Sequence, residues 1–274
     1  MKFLVTGATG NVGREVVRHL CAAGVPVRAV SRNPAAADLP PEVEVVQGDL
    51  LRPETLEKAF DGITAMHLFP EPETAAAVVD LARRKGVRRI VVLSSEAVTD
   101  NPDDGYHRVV EKAVEESGLE WTHVRPGEFA LNKRDTWSAA IRSGTVRLAF
   151  PEAKGVPIHE TDIGAVAATA LREDGHSGKV YRPTAEQTTT HREQVEAIAE
   201  AVGKPVTIEV ITPEQEKEDL LGIGWPDDLV EYIQAYQRQW TVTPPEARTD
   251  VSTVTGRPAR TFAEWARDHA DDFR

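Results

Sequence analysis

Gly7, Gly10 and Gly13 stand three residues apart in the opening stretch Lys2-Phe-Leu-Val-Thr-Gly-Ala-Thr-Gly-Asn-Val-Gly13. Residues of this type at this spacing serve anion binding. Without Cβ atoms, Gly7 and Gly10 let the backbone turn tightly and come close to a pyrophosphate, and Gly13 lets the next helix pack closely on the strand. A helix beginning near Asn11 aims its free N–H groups and positive dipole end at the same anion. Thr6, Thr9, Asn11 and Val12 share the turn and join the glycines as candidate dinucleotide-binding residues. The spacing is GxxGxxG, not the GxGxxG of the standard fingerprint, and the bland alternative is a plain turn between a buried strand and a helix. The position directly after an apolar run, and the residue that ends the next run, favour the dinucleotide.

That residue is Arg32, with no carboxylate beside it in Ser31-Arg32-Asn33-Pro34. An Asp or Glu here would bind the ribose 2′-hydroxyl of NAD, whereas an Arg accommodates the 2′-phosphate of NADP, so NADP(H) is expected over NAD(H). The bland alternative is a solvated loop arginine. Arg14, early in the first helix, is a second candidate phosphate contact. Asp49 ends the third apolar run, where it can accept from an adenine amino group or cap the following helix. Ser94 and Ser95 end the fifth run; no glycine-flanked elbow surrounds them, so they are expected to hydrogen-bond cofactor or substrate rather than act as nucleophiles. Tyr106 and the spacing His107-x-x-x-Glu111 supply acid–base candidates. Residues four apart share a helix face, so Glu111 can raise the pKa of His107, although an ordinary surface pair reads the same way. His159-Glu160-x-Asp162 matches no zinc spacing, and no metal is expected. Glu128 can reach a pocket, and Trp137 and Trp225 can line one. Cys21, the only cysteine, reads as a packed small residue.

These residues need elements to hold them. Apolar runs at Lys2–Val5, Val25–Val30, Val43–Val46, Ile63–Phe69, Ile90–Leu93 and Glu120–Arg125 read as strands. Helical patterns follow Asn11 and cover Pro53–Phe60, Thr74–Lys85, Tyr106–Ser117 and Asn132–Arg142. Strands alternating with helices imply a doubly wound α/β fold, a parallel sheet covered on both faces. Ligands of such sheets sit at the carboxyl ends of the strands, where Thr6 to Gly10, Arg32, Asp49, Phe69-Pro70 and Ser94-Ser95 all fall. Further strands are expected at Thr145–Phe150, Val156–His159, Lys179–Tyr181 and Val206–Ile211. Helices are expected up to Leu171, at His191–Val202, Pro213–Leu221 and Pro226–Trp240, and finally at Thr261–Phe273. The expected division is a nucleotide-binding domain at 1–150, continued by 156–183, and a smaller, mostly helical lobe at 184–274.

The 274 residues carry a formal net charge of −12, which disfavours non-specific binding to nucleic acid. Hydrophobic residues make up 41% and charged residues 28%, as in an ordinary globular protein. No stretch is long and apolar enough to span a membrane, and a cytoplasmic protein is expected.

TGATGNVG at Thr6–Gly13, Arg32, and GDL at Gly48–Leu50 resemble the atypical short-chain dehydrogenase/reductase superfamily. SGLEWTHVRPGEF (Ser117–Phe129), PIHETDIG (Pro157–Gly164) and TGRPARTFAEWARDHA (Thr255–Ala270) are similar to its NmrA-like, NAD(P)H-binding branch. The resemblance covers nearly the whole chain and implies a Rossmann fold. It further implies that Gly7, Gly10 and Gly13 surround the pyrophosphate and that Arg32 pairs with a 2′-phosphate. Asp49 and Leu50 would flank adenine, Phe69 and Pro70 would lie along the ribose, and Pro126 to Phe129 would lie near the nicotinamide. The superfamily's Tyr-x-x-x-Lys pair is broken, because Val110 stands four residues after Tyr106. The expectation is an NADPH-dependent reductase acting on a small quinone or other carbonyl compound. The alternatives are a non-catalytic redox sensor of NmrA type and a redox-neutral isomerase, cyclase or epimerase. A second copy of the chain or a regulatory protein is the expected further partner.

Overall fold

The computed structural model describes residues 1–101 and 105–274. In chain order come β1 (Phe3–Val5), α1 (Asn11–Ala22), β2 (Val27–Ser31), β3 (Glu44–Gln47), β4 (Ala65–Leu68), α2 (Ala75–Arg84), β5 (Arg89–Leu93), α3 (Ala97–Asp100), α4 (His107–Glu115) and β6 (Glu120–Val124). The chain continues with α5 (Asn132–Ser143), β7 (Thr145–Leu148), β8 (Lys154–Gly155), α6 (Glu160–Arg172), β9 (Lys179–Tyr181), β10 (Thr189–Thr190), α7 (His191–Val202), β11 (Thr207–Val210), α8 (Pro213–Gly222), α9 (Asp227–Val242), α10 (Asp250–Thr255) and α11 (Phe262–Asp268). Two compact units result, one of residues 1–127, 160–183 and 250–258, the other of 128–159, 184–249 and 259–274.

The first unit is a seven-stranded sheet in the order β3-β2-β1-β4-β5-β6-β9, parallel throughout. The order reverses between β1 and β4, the switch point at which doubly wound sheets open a crevice for ligands. Strands buried on both faces need near-continuous apolar sequence, and β1, β2 and β4 are buried along their whole length. Leu4, Met66, Leu68, Ile90 and Val92 belong to one core cluster with Val78 and Val79 of α2 and Val110 and Val114 of α4. Elsewhere α1 packs on α6 so closely that a Cβ on Gly164 would fall 2.5 Å from the Glu15 Cβ.

Several expectations are corrected. Pro53–Phe60 forms only a 3₁₀ turn at Pro53–Leu56; the chain goes on in i→i+3 turns, with the Ala59 N–H on the Leu56 carbonyl at 2.8 Å, while Arg28 holds the carbonyls of Lys58, Ala59 and Asp61 at 2.8–3.2 Å. Val156–His159 is no strand; β8 lies just before it, paired with β10, and Ile158 makes a single bridge to Phe129. The closing helix ends at Asp268 and resumes as a 3₁₀ turn at Ala270–Phe273.

The units also divide elsewhere than at 150 and 184. Residues 128–159 join the second unit because β7 pairs in parallel with β11. Trp137, Ile141, Val146 and Leu148 share its core with Val195, Ile198, Phe262, Trp265 and Phe273. Residues 250–258 join the first unit: Asp250 accepts the Arg182 N–H at 3.0 Å, and Arg257 pairs with the fully buried Asp162 at 2.8 Å. Among the described residues no helix is long and apolar enough to cross a membrane.

Candidate dinucleotide site

At the switch point the ends of β1 and β4 are bolted together by one side chain. The buried Thr6 hydroxyl accepts from the Phe69 N–H at 2.8 Å and donates to the His67 carbonyl at 3.0 Å. Gly7 follows at φ +62°, where a Cβ would strain the backbone and meet the Phe69 side chain at 2.9 Å. The turn closes with the Gly10 N–H on the Gly7 carbonyl at 2.9 Å. A Cβ on Gly13 would sit 2.1 Å from that same carbonyl, so the first turn of α1 rests directly on the loop.

Gly10 caps α1 in an extended conformation, without a side-chain cap and with no acidic residue in the first turn. The first-turn N–H groups and the positive end of the helix dipole are thus left for an anion. Thr9, Gly10 and Asn11 are exposed at the rim, whereas Val12 and Gly13 are buried beneath it. The cradle fits a pyrophosphate: two glycines where a Cβ would collide, and no carboxylate to repel it.

Arg32 is exposed just after β2 and makes no ion pair among the described residues. Arg14 reaches the same loop, where it bonds the Asp38 carbonyl and pairs with its carboxylate at 3.4 Å. Asp49 caps no helix, since the 3₁₀ turn at Pro53–Leu56 has no side-chain cap; its carboxylate accepts from the Leu51 N–H at 3.1 Å and lies 3.4 Å from Arg52. Leu50 is half-buried against the core, and its carbonyl accepts from the Thr74 hydroxyl at 2.6 Å. Phe69 is exposed and Pro70 buried. The Tyr106 hydroxyl donates to the Pro70 carbonyl at 3.1 Å, which brings this acid–base candidate to the end of β4. Burial, helped by the Glu71 charge, pushes the Tyr106 phenol up, so it keeps its proton.

Helix α4 departs most from expectation. Glu111 points inward and is fully buried, and the carboxylate that the spacing offered to His107 is held bidentate by Arg125 at 2.7–2.8 Å. The Ser94 hydroxyl donates to the same carboxylate at 2.6 Å, which commits its proton. Burial works to raise the Glu111 pKa, but the Arg125 guanidinium and Ser94 outweigh it and hold it below the usual carboxylate range. Glu111 is therefore an anchored counter-ion. Arg125 also reaches the Thr99 hydroxyl at 3.2 Å and fixes the chain after β5. Ser95 accepts from the Ala97 N–H at 3.2 Å. His107 meets the Tyr106 ring edge-on, with centroids 4.9 Å apart. Glu111, Glu115 and His123 bring ligand atoms close together, but Arg125 and Arg108 already neutralise the two carboxylates.

Pro126 belongs to the first unit, where its carbonyl accepts from the Glu96 N–H at 3.0 Å, whereas Phe129 belongs to the second. In the second unit Glu128 pairs with Lys133 at 2.7 Å, and Lys133 lies 4.7 Å from the centre of the Trp137 ring. Trp137 is a core residue there, and Trp225 is half-buried. His159 meets Asp268 at 3.3 Å. Arg125 and His67 are the site residues that sequence reasoning missed. Arg125 lay within Ser117–Phe129, but nothing local marks an arginine as the partner of a buried carboxylate.

A family model described as NAD(P)H-binding matches residues 7–174. A (4-alkanoyl-5-oxo-2,5-dihydrofuran-3-yl)methyl phosphate reductase from Streptomyces griseus is 36% identical, covering 98% of each chain. An NAD(P)H azoreductase from Xenophilus azovorans is likewise 36% identical over 98% of each. The triphenylmethane reductase of Citrobacter sp., solved with NADP(H), superposes with a TM-score of 0.79 at 26% identity, over 98% of this chain and 100% of its own. With its glycine turn, its switch-point crevice and these relatives, the chain belongs to the NAD(P)H-binding family.

Proposed function

We propose that the protein is an NADPH-dependent reductase of small conjugated acceptors. The observation that carries the reading is the uncapped, carboxylate-free start of α1 over the glycine turn, with Arg32 exposed beside it. Gly7, Gly10 and Gly13 would hold the pyrophosphate and Arg32 the 2′-phosphate, with Phe69 and Pro70 along the ribose. Bound there, the nicotinamide supplies a hydride.

The chain's own chemistry limits the acceptor. Glu111 is spent on Arg125 and Ser94, and no Tyr-x-x-x-Lys pair stands on α4 to activate a plain ketone. Tyr106 or His107, or water, would deliver the proton. An acceptor that spreads the arriving charge over a conjugated system needs least help from an acid. The acceptors named in the relatives share this trait: an acylated unsaturated lactone, an azo bond and a triphenylmethane dye. Quinones meet the same demand. The reading also puts the protein in the cytoplasm.

The test is calorimetry with NADPH and NADH, followed by cofactor absorbance on adding quinone, azo and enone acceptors. Tight NADPH binding that falls about tenfold in Arg32→Ala, with NADH little changed, is expected. Oxidation of NADPH should follow on adding at least one acceptor class. Binding without any turnover would move the assignment to a redox sensor.

A further inference from the structure

The loop after β2 carries both Arg32, the expected partner of the 2′-phosphate, and an anion of its own, Asp38. Arg14, in the first turn of α1, reaches across to Asp38, bonds its carbonyl and pairs with its carboxylate at 3.4 Å. Asp38 is the one non-glycine residue with positive φ, at +45°, among the described residues. Aspartate tolerates that conformation because its short polar side chain bonds locally. The Asp38 side chain is 96% exposed, and that of Arg14 41%. Pro34–Ala36 forms a short 3₁₀ turn between Arg32 and Asp38, so both arginines attach to one ordered loop.

We propose that Asp38 is an internal stand-in for the 2′-phosphate, holding Arg14 until the phosphate displaces it, so that Arg14 and Asp38 together set the NADPH:NADH preference. The proposal rests on the reading of Arg32 as the 2′-phosphate partner. A phosphate monoester carries nearly two negative charges near neutral pH and three strong acceptor oxygens. It therefore outcompetes a single exposed carboxylate for a guanidinium, which binds phosphate with two parallel N–H groups. NADH brings no such group, and on binding it leaves Arg14 with Asp38.

The experiment is calorimetry of NADPH and NADH on wild type, Arg32→Ala, Arg14→Ala, Asp38→Asn and the Arg14→Ala/Asp38→Asn double variant, with melting curves to check folding. Asparagine accepts positive φ, so Asp38→Asn removes the charge and keeps the loop. Arg14→Ala is expected to weaken NADPH about tenfold and to leave NADH within about twofold. Asp38→Asn is expected to tighten NADPH about threefold, the scale of an exposed ion pair, and to do nothing in the Arg14→Ala background. An unchanged nucleotide preference in Arg14→Ala overturns the proposal. So does an Asp38→Asn gain that persists without Arg14, which would mark simple long-range repulsion. If Arg32→Ala leaves the preference intact, or wild type has none, the cofactor reading itself falls and the proposal with it.

Discussion

His67 sits in β4, fully buried, and its carbonyl takes one of the two Thr6 bonds that join the strand ends at the switch point. Its Nδ1 faces the Thr6 carbonyl at 3.4 Å, and its Nε2 has no partner among the described residues. Burial pushes its pKa from 6.5 down to about 4, against a small opposing pull from the Thr6 carbonyl. The unfolded chain takes up this proton near pH 6.5, whereas the folded chain resists until about pH 4. Stability from this group is thus complete above pH 6.5 and lost as pH falls through that window. Between pH 7.5 and 5 the loss is about 2 kcal/mol. Urea denaturation of wild type and His67→Leu at both values tests this: the wild type should lose about 2 kcal/mol more than the variant. Equal losses would mean that the imidazole already charges in the folded state. His191, buried in the second unit and also pushed well down, stays in both proteins and cancels.

Helix α4 shows how an element can keep its place while its chemistry changes. Its buried side presents Val110, Glu111 and Val114, so a carboxylate enters the core between two valines. A buried charge is tolerated only when paired, and Arg125 at the end of β6 supplies the pair while Ser94 supplies a further donor. Glu111→Gln leaves the Arg125 guanidinium half-matched and is expected to cost about 3 kcal/mol or more in chemical denaturation. The apolar double variant Glu111→Leu/Arg125→Met removes both charges and should recover most of that loss. A double variant as unstable as the single would show that the pair, and not the mere absence of orphaned charge, holds α4.

The two compact units are not consecutive pieces of chain, and the last 25 residues serve both. Residues 250–258 give the first unit Asp250 and Arg257, which hold the Arg182 backbone and the buried Asp162. Residues 259–274 give the second unit Phe262, Trp265 and Phe273, each almost completely buried. A chain ended after Thr249 therefore loses the counter-ion of a buried carboxylate in one unit and three large aromatic side chains in the other. Loss of one buried aromatic alone costs about 3–5 kcal/mol. The truncated protein is expected to lack a cooperative melt in circular dichroism. A sharp transition within a few degrees of the full-length chain would show that each unit closes without its C-terminal segment.

The anion cradle, the parallel sheet and the strand-end placement of Thr6–Gly10, Arg32, Asp49, Phe69 and Ser94 were legible from residues alone. They depend on short-range physics: where a Cβ cannot fit, which runs are apolar, and where a helix leaves its N–H groups free. What Glu111 binds was decided elsewhere. Spacing of four puts His107 and Glu111 on one face but does not say which end of that face is buried, and Arg125 lies 14 residues on, just past β6. The pairing of β7 with β11, which moved 128–159 into the second unit, joins residues about sixty apart. The neutral state of His67 arises from the strands on either side of it, and Asp38 meets Arg14 only because parallel β1 and β2 put the start of α1 and the loop after β2 on the same side of the sheet. Local sterics and hydrophobic period are written into consecutive residues, whereas the partner of a buried charge is whatever the closed sheet brings beside it.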